Sequence, residues 1–118
     1  MPKERAFYNA SLKDADLSKV YFEDASFRES DLRGSNLRKA KLKGADLRGA
    51  RLDGANVIKA DLSHANLADA SLRGADLAQA MFSYTNLYGV ALDGSDGISV
   101  SQRAGIIELP GGRVRSHL

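Results

Sequence analysis

The chain has 118 residues, 43% hydrophobic and 27% charged, with no Cys, no Trp, two His and a formal net charge of +2. This describes one domain with a modest core, and it excludes a disulfide framework, a thiolate metal site and a multi-His metal site; no cofactor is implied. No apolar run approaches the roughly 18 residues of a membrane span, and Met1 to Glu4 lack the apolar core of a secretory signal, so a cytoplasmic protein without a membrane partner is expected.

From Phe7 to Leu92 every fifth residue is Leu, Phe or Val. From Leu12 on, two residues before each stands a small residue, usually Ala, with Ser30, Ser35 and Thr85 as variants and Val20 and Val90 slightly larger. The residue just before is often Asp or Asn, as at Asp16, Asn36, Asp46, Asn56 and Asp76. A helix advances about 500° in five residues, so the Leu positions would precess around its axis. On a flat strand the odd spacing would alternate them between faces. They stay inside together only when the chain turns a corner in every repeat, with Leu and the small residue inward and the other three positions outward.

The outward columns set the number of corners. Lys19, Lys39 and Lys59 recur at twenty, as do Gly34, Gly54, Gly74 and Gly94, and the set Asp16, Asn36, Asn56 and Asp76. Twenty residues make four repeats, a square coil stacked on its neighbours at the inter-strand spacing. The expected fold is an all-β quadrilateral parallel solenoid of about four and a half coils, a rod of about 22 Å over residues 1–94. Gly at corners such as Gly44 and Gly49 permits positive φ, and Asp or Asn before the Leu can accept turn N–H groups.

Beyond Leu92 the repeat stops. Ile106 to Leu109 reads as a short strand, Pro110-Gly111-Gly112 as a turn, and Arg113 to Arg115 as a return. Residues 95–118 therefore form a cap over the last coil, a dimerisation segment or a partly disordered tail. Met81, Tyr84, Tyr88, Ile98, Val100, Ile106 and Ile107 are the candidate contacts for either packing role.

Stretches such as Ala45-Asp46-Leu47-Arg48-Gly49 and Ala75-Asp76-Leu77-Ala78-Gln79 carry the pattern A-(D/N)-L-x-x, which resembles the pentapeptide-repeat family. The resemblance covers about residues 5 to 94. It implies a right-handed quadrilateral β-helix, action through the outer surface, and end-to-end homodimers through the C-terminal coil in some members. The family's best-known branch mimics DNA and binds DNA gyrase in quinolone resistance.

No catalytic or metal site is expected. His64 has Asp61 and Ser63 nearby, but all three fall within one repeat turn, without a nucleophile elbow or an oxyanion hole. Residues 13–31 are mainly acidic, whereas 33–51 hold Arg33, Arg38, Lys39, Lys41, Lys43, Arg48 and Arg51 against Asp46 alone. Lys19, Arg38, Lys39, Lys41, Lys43 and Lys59 form the candidate interaction patch. Its plain alternative is a solvated face on which acidic and basic belts offset each other across coils. The preferred reading is a non-enzymatic interaction module that presents a rigid rod to a protein partner. The other is a gyrase-targeting DNA mimic or polyanion binder; near-neutral charge and the basic belt disfavour the mimic. Nucleic acid is not an expected partner, because a dense basic stripe with interleaved aromatics is missing.

Overall fold

Each repeat closes a turn because its small residue donates its N–H back to the carbonyl of the preceding Leu: Ala45 to Leu42 at 2.9 Å and Ala50 to Leu47 at 3.0 Å. The third residue of such a turn must take positive φ, as in type II turns. Gly44 does so at 72°, and a Cβ there would also collide with the carboxylate of Asp24 one coil below. The chain is seen here in a computed structural model that describes residues 7–92, 94, 95 and the strand Ile106–Ile107.

Backbone partners lie twenty residues apart and run parallel, as in Ser11 with Asp31, Asp16 with Asn36, Tyr21 with Lys41 and Ser26 with Asp46. Three bonds per repeat tie neighbouring coils: the Leu47 N–H donates to Asn66 O at 2.7 Å, Asn66 N–H to Ala45 O at 2.9 Å, and Gly49 N–H to Ala68 O at 3.0 Å. The twenty-residue coil expected from the surface columns is therefore the spacing of the ladder. Among the described residues there is no helix.

The ladder defines four faces, each named by its outward residue. The first carries Ser11, Asp31, Arg51, Ser71 and Ala91; the second Asp16, Asn36, Asn56 and Asp76; the third Tyr21, Lys41, Asp61 and Met81; the fourth Ser26, Asp46, Asn66 and Asn86. Inside, Leu47, Leu67, Ala45 and Ala65 are at most 1% exposed. Alternating one large and one small side chain lets opposite walls meet at close-packed density. The first coil, at the N-terminal end, is less covered: Phe7, Leu12, Leu17, Val20 and Phe22 are partly buried. There Phe7 stacks on Phe27 at 4.9 Å, and Phe22 packs edge-on to both rings at 5.2 Å. Three of the chain's four Phe thus close the open end with aromatic contacts.

At the other end two short strands are regular enough to name. β1 (Thr85–Asn86) pairs in parallel with β2 (Ile106–Ile107), Thr85 opposite Ile106 and Asn86 opposite Ile107. This register is twenty-one residues, one more than in the coils below. The strand expected from Ile106 is present at Ile106–Ile107. The turn and return expected after it, with Ile98 and Val100, lie outside the described residues.

Candidate functional site

Where Asp or Asn precedes the Leu it works as expected. Its Oδ1 accepts the N–H two residues on, the one turn amide that neither the ladder nor the turn bond uses: Asn36 from Arg38 at 3.0 Å, Asn56 from Ile58 at 3.0 Å, Asp61 from Ser63 at 3.0 Å. That geometry also brings the side chain two residues on beside the carboxylate. Arg33 grips Asp31 with two bonds of 2.8 and 2.7 Å, and Arg48 grips Asp46 with 2.9 and 2.7 Å. Hydrogen bonds from the guanidinium hold the Asp31 carboxyl well below the usual carboxylate range, and Arg48 lowers Asp46 in the same way.

These are the two ion pairs among the described residues, and both run within a repeat. The offset of acidic and basic belts across coils is present as weaker attraction: Arg51 adds to the lowering of Asp31, Arg28 to that of Asp46, and Asp53 and Asp14 act on Arg33. None of Lys19, Arg38, Lys39, Lys41, Lys43 and Lys59 makes an ion pair among the described residues. Arg38 stands free because Asn36, a neutral amide, occupies the place that Asp31 and Asp46 take beneath the paired arginines.

The corner between the second and third faces carries Lys19, Lys39, Lys59 and Gln79 in its left-handed slot, with φ of 60°, 59°, 59° and 59°. Gly, Asn, Asp and His tolerate that region best. Each of the other corners uses some of them: Asp14 and Gly34, Asp24 and Gly44, Asn9 and Gly49. Among the described corners, the lysine corner alone has none. A non-glycine residue held left-handed costs on the order of 1 kcal/mol, and such strain gathers at functional positions.

Lys41 lies on the adjoining third face, between Tyr21 below and Asp61 above, with Met81 next along the column. The fold therefore unites two groups that the sequence kept apart. Met81, 45% exposed, shares a face with Lys41, and Tyr84, 63% exposed, projects at that face's far corner. Tyr21, 67% exposed, joins them from the N-terminal end. Tyr21 stood outside both candidate groups read from the sequence; adding twenty to its number would have placed it with Lys41. Lys43 sits at the far corner, one repeat before the turn that holds Asp46. Tyr88 belongs to a different corner, in line with Arg28, Arg48 and Ala68.

His64 is exposed and stacks on Tyr84 at 5.1 Å with an interplanar angle of 14°. Asp61 turns to the Ser63 amide rather than to the imidazole, so the three residues form no proton relay. A groove of about 240 Å³ opens along the corner lined by Arg28, Glu29, Arg48, Gly49, Ala68 and Asp69. Its arginines and carboxylates alternate without converging on a point, and Arg48 is already held by Asp46. Among the described residues no His, Asp and Glu side chains gather as a metal site, and no helix is long and apolar enough to cross a membrane.

Comparison with known proteins places this geometry. The sequence profile of pentapeptide repeats matches residues 7–44, 30–67 and 60–96. The pentapeptide repeat protein alr5209 from Nostoc Pcc 7120 is similar in structure, with a TM-score of 0.75 and 32% identity over 87% of this chain and 84% of that one. The pentapeptide repeat protein Rfr23 from the cyanobacterium Cyanothece 51142 is similar with a TM-score of 0.63 and 34% identity over 78% of this chain and 59% of that one. No curated protein matches the sequence. With its five-residue period, its twenty-residue ladder and these relatives, the chain belongs to the pentapeptide-repeat family.

Proposed function

We propose that the chain is a non-enzymatic, cytoplasmic interaction module, a right-handed rod of about four and a half coils whose third face and lysine corner dock an acidic protein partner. One observation carries this reading. Three lysines occupy left-handed slots where the first-to-second corner uses Gly34, Gly54, Gly74 and Gly94, and none of the three makes an ion pair among the described residues. Folding alone gives no reason for lysine there, whereas an anionic partner does. The sign of the patch is opposite to that of a DNA mimic. Pairing of β2 on β1 supports reading the segment after residue 94 as a cap on the last coil rather than a dimerisation surface.

Capture from source lysate tests the reading, comparing the protein with its Lys39→Glu/Lys41→Glu/Lys43→Glu variant, each with and without nuclease. The expected result is a protein that survives nuclease and is lost in the variant. Enrichment that disappears with nuclease, or a partner retained by the variant, overturns it.

A further inference from the structure

Resting on that reading, we infer that the partner docks through an acidic α-helix lying along the rod axis on the third face. Spacing is the first ground. Lys19, Lys39 and Lys59 rise one coil at a time, about 4.8 Å per step, so the column spans about 9.6 Å. An α-helix presents a new residue on one stripe every turn, about 5.4 Å, and two turns advance about 10.8 Å. The mismatch of about 1.2 Å is within the reach of flexible lysine side chains. An extended strand along the same axis presents one side chain every 6.7 Å or so, overshooting the column by nearly 4 Å.

The ends of the face supply the second ground. Tyr21 and Met81 flank Lys41 and Asp61, three coils or about 14 Å apart, close to the length of three helical turns. Both are exposed where the repeat would place Asp or Asn, and they offer apolar contact at the two ends of a short helix. Charge excludes the competing occupants. A second copy of the chain, turned to set Lys41 on Asp61, drives the lysine column against its own counterpart. A stacked nucleic-acid strand, with phosphates about every 3.4 Å, sets four of them along a column of three lysines and leaves one unpaired.

The probes are two fluorescent Ala-rich helical peptides of about 20 residues and identical composition. One carries Glu on a single stripe at successive i, i+4, i+7 positions between two Leu; the other distributes the same Glu around the helix. An oligo-dT strand is the third probe. The striped peptide is expected to bind at least tenfold tighter than its permuted twin. Lys39→Glu/Lys41→Glu should cost at least tenfold, and Lys13→Glu/Arg51→Glu, an equal charge change on other surfaces, less than twofold. Equal binding of the two peptides, preference for oligo-dT with a steep salt dependence, or no peptide binding at all overturns the inference. If lysate capture still depends on the lysines in that event, the helix geometry falls and the acidic-partner reading stands; if capture also ignores them, both fall.

Discussion

The second and third faces of the rod share one core and one ladder but differ in their outward residues. On the second, Asp16, Asn36, Asn56 and Asp76 all turn Oδ1 to the amide two residues on, at 3.0 to 3.1 Å. On the third only Asp61 does so, because Tyr21, Lys41 and Met81 stand in the other capping positions. The first face also departs from the pattern, but mostly toward Ser and Ala. In a solenoid the inward positions hold the fold, so a face that gives up its turn caps for large or charged residues marks where selection acts on something other than folding.

The largest expected effect should leave the two faces alike. Leu37→Ala beneath the second face and Leu42→Ala beneath the third each empty a fully buried site and should cost about 3 kcal/mol in urea denaturation. A difference much beyond 1 kcal/mol would show that the cores are not equivalent. Next, the caps should separate the faces by sign. Asn56→Ala should lose about 1 kcal/mol, whereas Lys41→Asn should gain up to about 1 kcal/mol by restoring a cap while weakening partner capture. A destabilised Lys41→Asn protein would remove the idea that the third face gives up stability.

A smaller gain is expected at the corner between the faces. Lys39→Gly should raise stability by about 0.5 kcal/mol, relief of the left-handed backbone being partly offset by glycine's greater freedom in the unfolded chain. The smallest effect is at acid pH. Hydrogen bonds from the Ser18 hydroxyl and amide lower the Asp16 carboxyl, so its folded value lies below the unfolded one. The stability it contributes is complete above the ordinary carboxylate range near 3.9 and is lost as pH falls through the lowered folded value. Asp16→Asn keeps the turn acceptor and should slightly flatten the fall of melting temperature below pH 4.

The repeat and the core were legible because each Leu has the same task in every turn, so the whole stretch from Phe7 to Leu92 repeats one message. The coil period was legible too, since Lys19, Lys39 and Lys59 mark the ladder's own spacing. Three features escaped. Positive φ was foreseen only for glycines, although the ladder imposes the same turn on Lys39 and Tyr84. Attraction between coils was foreseen, but not that the Asx turn places Arg33 and Arg48 beside the carboxylates of their own repeats. Tyr21 and Met81 share a face only after sixty residues of stacking, a relation that no local motif carries.

One feature at the C-terminal end bears on how such a rod stays finite. Any coil in this stack could serve as a template for a coil of another molecule, since each offers the same parallel twenty-residue register. Where β2 meets β1 the register lengthens by one residue. An incoming chain in step with the lower coils would meet that row out of phase, with its inward and outward residues exchanged. A one-residue offset thus makes the β1–β2 row a poor template for a coil that keeps the register of the rows below.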